Sequence, residues 1–239
     1  MDNTRIALVT GANKGIGLEI ARQLAEADVD VIIGSRDAGR GGAAVADLAI
    51  EGLAATSIQL DITDQASIDA AAAAIEASHG RLDILVNNAG IFDFADAAPS
   101  RASIPTVRRV LETNFIGALA VTQAMLPLLR KSAAGRIVNL SSSLGSLSVN
   151  SDPSSPYFAQ RYIGYNASKA ALNMLTIQLT EELRDTGIVV NSVSPGFVKT
   201  DLTGYGVMTP EEGARLPVQH ALGGTDNGRF LEPDGYTPW

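Results

Sequence analysis

The chain of 239 residues contains no cysteine. That absence excludes a disulfide framework, a thiolate nucleophile and a cysteine-built zinc cluster. Histidine is nearly missing too: His79 and His220 stand far apart. Each reads as a lone surface imidazole, so no metal is expected. Basic residues are scarce, 18 against 26 acidic ones, with a formal net charge of −8 and no basic run. A surface of that sign repels phosphate backbones and anionic lipid, so neither nucleic acid nor membrane is an expected partner. Long apolar runs are also lacking. The stretch GALAVTQAMLPLL from Gly117 is too short to span a bilayer and is broken by Thr, Gln and Pro. The opening residues, MDNTRIALVT, lack the basic segment and apolar core of a signal peptide. A soluble, cytoplasmic protein is expected.

What is present is a globular composition, 46% hydrophobic and 18% charged, long enough to bury one sizeable core. Apolar runs of strand length alternate with helix-length segments. IALVT from Ile6, DVIIG from Asp30, TSIQL from Thr56, LDILV from Leu82, RIVNL from Arg136 and IVVNSV from Ile188 read as strands. GRFL from Gly228 reads as a seventh. Continuous Val/Ile/Leu runs mark strands covered on both faces, and the alternation implies parallel βαβ units. The expected architecture is a single α/β domain over residues 1–239. It is a doubly wound, Rossmann-type parallel sheet of about seven strands with helices on both faces. Two stretches read as irregular: 146–164, an insertion near the presumed site, and 197–222, a substrate-loop and lid region. Ligands in such folds sit outside the carboxyl ends of the strands, where both stretches belong.

The segment VTGANKGIG, residues 9–17, follows the first expected strand and opens a helix. Gly11 suits a tight turn, Gly15 a close approach of backbone to pyrophosphate, and Gly17 close packing of helix on strand. The helix N-terminus offers unpaired N–H groups and the positive end of a dipole. The spacing matches neither G-x-G-x-x-G nor a P-loop. The loop alone therefore leaves a plain glycine turn open beside a dinucleotide site.

The end of the second strand reads IIGSRDAGR. An NAD-binding fold ordinarily carries an acid here for the ribose 2′-hydroxyl. Arg36 stands in its place and can fork onto a 2′-phosphate. Lys14 and Arg40 are further cations for the same pocket. Asp37 lies past the strand end, where it serves equally well as a helix cap. NADP, in its reduced form NADPH, is the expected cofactor.

Residues 165–169 read YNASK on an expected helix, so Tyr165 and Lys169 share one face. Free tyrosine titrates near pH ~10, and a close ammonium lowers a neighbour's pKa by about 1–3 units. The pair is therefore expected to bring the phenol toward working range for acid–base chemistry.

With these pieces in place, the sequence resembles the classical short-chain dehydrogenase/reductase family over nearly its whole length. The matching motifs, in order, are TGANKGIG, Leu60–Asp61, NNAG at 87–90, Asn114 in TNF, NLSSS at 139–143, YNASK and SPGFVKT at 194–200. The NKGIG, SRDAGR and NLSS runs look most like the NADPH-dependent carbonyl reductase branch. The resemblance implies Tyr165 as the acid in ketone reduction and Ser142 as the hydrogen-bond partner of the substrate oxygen. Lys169 would hold the nicotinamide ribose and lower the Tyr165 pKa. Asn114 would position a water that links Lys169 to solvent. Asn13 and Ile16 belong to the glycine loop. Asp61 and Ile62 would flank the adenine, with Asn88, Ala89 and Gly90 on the adenosine ribose side, although Asn88 serves equally as a tie between strands. Pro195, Gly196, Val198 and Thr200 would hold the nicotinamide. The implied partner is a small-molecule ketone or aldehyde, largely apolar.

Ser142 and Tyr165 lie 23 positions apart, more than in many members of the family. The extra residues, NSDPSSPYFAQR, sit beside the substrate cleft and near helices that commonly pair subunits. A dimer or tetramer is implied by the resemblance, and the insertion leaves a monomer open. TPEEGARLP from Thr209 has capping-box logic, with Thr209 at N-cap, Pro210 at N1 and Glu212 at N3, and is expected to form a short mobile lid helix. Phe92, Phe94, Leu144, Tyr157, Phe197 and Met208 are candidates for the substrate pocket. Two alternatives stand beside carbonyl reduction: an NAD-linked alcohol dehydrogenase, and a non-catalytic NADP-binding sensor.

Overall fold

The computed structural model describes residues 4–202 and 204–239. Met1–Asn3, the start of the segment read above for a leader, and Thr203 of the substrate-loop region lie outside the described residues. Among the described residues the expected parallel sheet is present. Its seven parallel strands are β1 (Ile6–Thr10), β2 (Asp30–Ser35), β3 (Ala55–Gln59), β4 (Ile84–Asn87), β5 (Arg136–Leu140), β6 (Val189–Val193) and β7 (Phe230–Glu232). An eighth, β8 (Gly235–Tyr236), was not foreseen. It turns back antiparallel on β7 after Pro233 and Asp234, pairing Leu231 with Tyr236 and Glu232 with Gly235. The turn is permitted by Gly235 at φ +122°.

The order is β3-β2-β1-β4-β5-β6-β7-β8, so the winding direction reverses between β1 and β4. The carboxyl ends flanking that reversal form the crevice in which doubly wound sheets take ligands. On one face pack α3 (Gln65–His79), α5 (Ala118–Leu129) and α7 (Ile163–Glu182). On the other pack α1 (Gly15–Glu26), α2 (Ala38–Ile50) and α8 (Pro210–Leu222). Two helices complete the described set: α4 (Ile104–Leu111) and the five-residue α6 (Leu147–Ser151), which lies inside the stretch expected to be irregular. Strand residues alternate between two buried clusters. Leu8, Leu85 and Ile137 face one layer; Val9, Val86 and Val138 face the other. That alternation is why apolar residues stand at consecutive positions of the central strands.

A buried polar chain crosses the sheet below the crevice. Asn87 and Asn139 are register partners, as are Asn139 and Ser192. Asn87 Nδ2 donates to Asn139 Oδ1 at 2.8 Å and to Thr122 Oγ1 at 2.9 Å. Asn139 Nδ2 donates to Thr176 Oγ1 at 2.8 Å, and Thr176 in turn meets Ser192 Oγ at 2.8 Å. A one-residue slip would strand these groups unpaired, so the chain pins three strands and two helices in one register.

The expected capping box at Thr209 is formed with Glu212, but the helix it opens differs from a short lid. α8 runs thirteen residues and buries Ala214, Val218 and Ala221 in the core beside α1. It is a fixed wall of the domain. His220, expected at the surface, is only 6% exposed near the end of α8, and its Nδ1 has no hydrogen-bond partner. Burial lowers its pKa below the ordinary value, with Asp226 opposing that shift.

Candidate active site

The loop between β1 and α1 is glycine-built for steric reasons. Gly11 holds φ +64°, and a Cβ there would lie 3.0 Å from Ala89 Cα. A Cβ on Gly17 would stand 2.4 Å from Asn88 Nδ2, and Gly15 needs φ +59°. α1 opens at Lys14 without a side-chain cap, so its first N–H groups face the crevice as an anion site. Thr10 ties the opposite rim: its Oγ1 accepts from Asn88 N and Ala89 N, each at 3.0 Å. Asn88 Nδ2 donates back to Thr10 O at 2.8 Å. Asn88 is thus a strand tie, and it also lines the crevice.

The crevice is a cavity of about 1260 Å³. It brings together the glycine loop from Gly11 through Asn13, Lys14, Gly15 and Ile16 to Gly17. At one end lie Arg36, Arg40, Asp61 and Ile62; Asn88, Ala89, Gly90 and Phe92 follow, then Tyr165, Lys169, Pro195 and Thr200. Asp37, ambiguous in sequence, is a helix cap: its carboxylate accepts from Arg40 N at 2.9 Å. Arg36 and Arg40 are left exposed at the cavity edge. Asp61 accepts from Thr63 N and Thr63 Oγ1, and these bonds, helped by the charge of Arg36, hold its carboxyl below the usual range. Lys14 Nζ lies 3.0 Å from Asp201, a cavity-lining residue not singled out in sequence. Both are open to solvent, at 60% and 77% side-chain exposure, so the pair is replaceable.

At the other end Tyr165 and Lys169 line the cavity beside Leu140 and Ser141, while Ser142, next in the chain, does not line it. The three consecutive serines after β5 divide their work. Ser141 Oγ donates to Asn173 Oδ1 of α7 at 2.6 Å, and Ser143 Oγ donates to Glu232 of β7. Ser142 between them accepts from Leu144 N at 3.3 Å, and its hydroxyl acts to draw the Tyr165 pKa down. Gly145 lets α7 come close, since a Cβ there would lie 2.7 Å from Lys169 Cβ. Lys169 is buried and donates to Leu140 O at 2.7 Å. Its Nζ sits 5.7 Å from the Tyr165 ring centroid.

The expected lowering of the phenol by Lys169 is not what this arrangement produces. Loss of water pushes Tyr165 up to about 12, against the downward pull of the Ser142 hydrogen bond. The same burial brings Lys169 down to about 8. Desolvation acts on both groups and outweighs an ammonium whose hydrogen bond is spent on a carbonyl. A phenol in this state is held protonated at neutral pH.

Asn114 lies in a π-helical turn, Glu112–Gly117, which links α4 to α5. π-turns frequently mark functional sites. Its Oδ1 accepts from Ile91 N at 2.7 Å; its Nδ2 donates to Ile91 O at 2.9 Å and to Ser168 Oγ at 3.0 Å. Asn114 is thereby fixed beside Gly90, where a Cβ would be 3.3 Å from Asn114 Oδ1 and 3.7 Å from Lys169 Nζ.

The apolar candidates divide. Phe92 packs edge-on against Tyr165 at 5.3 Å between ring centroids, and also meets Phe94 and Tyr162. Phe197, 45% exposed, packs against Tyr205, and neither it nor Phe94 or Met208 lines the main cavity. Leu144 lines a separate cleft of about 260 Å³ against Asn166 and Ala170, on another side of α7. Tyr157 lines neither cavity. Gly196 and Val198, expected to hold the cofactor, do not line the main cavity either. Gly196 at φ +83° makes room for Met208 Sδ. Val198 is buried against Gly213 and bridged to Met208. These residues shape the loop from behind. Among the described residues no group of three or more His, Asp or Glu could hold a metal, and no helix is long and apolar enough to cross a membrane.

Comparison with known proteins gives the family. The short chain dehydrogenase family model matches residues 5–207. Human carbonyl reductase [NADPH] 1 is 34% identical, with 98% of each chain covered. (+)-Neomenthol dehydrogenase of Arabidopsis thaliana is 35% identical over 92% of each. The crystal structure of NADPH-bound carbonyl reductase from chicken fatty liver superposes with a TM-score of 0.86 at 33% identity, covering 99% of both chains. A chain with this sheet, this crevice and these relatives belongs to the short-chain dehydrogenase/reductase family of oxidoreductases.

Proposed function

We propose that the protein catalyses the NADPH-dependent, reversible reduction of a ketone or aldehyde to an alcohol, with Tyr165 as the proton donor. The observation that carries this reading is the meeting of Tyr165 and Lys169, with Ser142 acting on the phenol, at one end of a cavity whose other end is lined by Lys14, Arg36 and Arg40. The residues present suit the cofactor. A glycine loop closes on Ala89 with no room for a side chain, an uncapped helix start faces the cavity, and Lys14, Arg36 and Arg40 line it as cations suited to a 2′-phosphate. The relatives named for NADPH support the same choice.

The bound cofactor supplies the hydride; the chain supplies position and a proton. Lys14 and Arg36 hold the 2′-phosphate, with Arg40 beside them. Lys14 exchanges its exposed Asp201 partner for the phosphate. Asp61 and Ile62 flank the adenine, and Gly90 leaves space along the cavity floor. Ser142 orients the carbonyl oxygen toward Tyr165. Tyr165, protonated at neutral pH, donates its proton as charge develops on that oxygen. Lys169 is anchored through Leu140 O under the ring, and its positive charge stabilises the phenolate left behind. Asn114, locked to Ile91 and Ser168, borders Lys169 on the route by which the proton is replaced. Phe92, lining the cavity against Tyr165, gives the substrate an apolar, aromatic approach, which favours a largely apolar carbonyl compound.

The test is NADPH and NADH consumption, side by side, over a panel of aliphatic and aromatic ketones and aldehydes. Turnover with NADPH well above NADH is expected. Tight NADPH binding with no turnover on any carbonyl would overturn the reading.

A further inference from the structure

The loop that carries Ser142 is held by residues outside the sequence motifs. Ser143 Oγ donates to one carboxylate oxygen of Glu232, at the carboxyl end of β7, and Thr237 Oγ1 donates to the other. The same segment then crosses the serine loop. Ser146 Oγ donates to Pro238 O at 2.6 Å, while Ser148 N and Oγ donate to Trp239 O at 3.1 and 2.8 Å. Trp239 stacks on the fully buried Phe230, ring centroids 5.7 Å apart and planes 19° apart, which anchors the segment to the strand that carries Glu232. Thr237 N also donates to Phe230 O at 2.9 Å.

The three serines are thus a clamp. Ser141 is fixed inward to α7 through Asn173, and Ser143 is fixed outward to β7 through Glu232. The middle serine, Ser142, is the one that acts on the Tyr165 phenol. We infer that Glu232 is a positioning residue for catalysis: it sets the orientation of Ser142 through Ser143 and couples the 235–239 segment to the active site. Neither Ser143 nor Glu232 lines the main cavity, so the effect passes through the loop. A carboxylate with both oxygens taken by hydroxyls from two different segments fixes their spacing as a single acceptor cannot. A displacement of the order of 1 Å at a catalytic group is enough to cost ~100-fold in rate.

This inference rests on the proposed role of Ser142 and Tyr165, and the experiment separates the two. Steady-state kinetics with NADPH and the best ketone are measured for wild type, S142A, Y165F, E232A, E232Q, S143A and E232A/S143A. Folding is checked by circular dichroism and cofactor affinity by NADPH fluorescence. The expected result is a ~10–100-fold fall in kcat for E232A and for S143A. KM and NADPH affinity are unchanged, and the double variant is no worse than either single one. E232Q keeps an acceptor for Ser143 and a donor for Thr237, so it restores most of kcat. Near wild-type kcat in S143A, or in a folded E232A, overturns the inference while S142A and Y165F remain inactive. Equal losses in kcat and NADPH affinity for E232A and E232Q alike would also overturn it, as general damage to the fold. Wild-type activity in S142A and Y165F would instead overturn the mechanism on which it rests.

Discussion

Lys169 is a charged side chain sealed under the active site, and replacing it by methionine isolates what that charge does to the fold. Burial brings the ammonium from its ordinary 10.5 down to about 8. At about 1.4 kcal/mol per pKa unit, holding the charged form inside costs ~3 kcal/mol at neutral pH. The hydrogen bond to Leu140 O, 2.7 Å long, offsets part of this, and the K169M variant leaves that carbonyl unpaired at a cost of ~1–3 kcal/mol. The two terms nearly cancel at pH 7, so K169M should be about as stable as the wild type there while losing activity. Their pH dependence does not cancel. Between pH 8 and 10.5 the unfolded chain keeps a proton that the folded chain has shed, so wild-type stability rises with pH through that window. Urea unfolding of both proteins at intervals from pH 7 to 10 measures the difference. The wild type should gain on K169M by ~2–3 kcal/mol across that range. A difference independent of pH would refute the burial of a depressed lysine.

Other substitutions probe other parts of the site. The double variant K14A/R36A should weaken NADPH binding by ~100-fold, the scale of lost charge-assisted contacts to phosphate, and leave NADH binding unchanged in fluorescence titrations. D201N frees Lys14 from its exposed partner and should tighten NADPH by ~2–5-fold, as expected for removal of one solvent-exposed ion pair. In G145A the new methyl group meets Lys169 backbone and Cβ at 2.7 Å, which should cost ~1–3 kcal/mol in urea unfolding and lower kcat more than it raises KM.

The central strands were legible because burial on both faces gives them apolar residues at consecutive positions. Ile6–Thr10 and Arg136–Leu140 stand where their apolar runs begin and end. The edge was less legible. β8 has only two residues, both exposed, and its pairing follows from the turn at Pro233 and Asp234 rather than from any apolar pattern. α8 looked like a lid because its start has strong capping chemistry. Its anchoring against α1 depends on Ala214, Val218 and Ala221, whose small or branched side chains signal burial only once a partner helix is known. In the site, the glycine loop, Arg36, Tyr165 and Lys169 followed from spacing. The role of Asp37 as a cap was one of two open readings, and α2 selects it. Asp201 was not foreseen, since its meeting with Lys14 spans 187 positions and no local pattern encodes it. Glu232 was hidden for the same reason, across 89 positions. The pKa expectation for Tyr165 considered the neighbouring charge and omitted the loss of water around the ring, which is the larger effect.

The most direct test of the account is Y165F in single turnover with NADPH and a reducible ketone, with NADPH affinity measured in the same samples. Phenylalanine keeps the edge-on packing against Phe92 and removes only the proton donor. The account predicts unchanged NADPH binding and a ~100–10,000-fold slower hydride transfer, the contribution of a positioned general acid. A rate within a few-fold of wild type would contradict it.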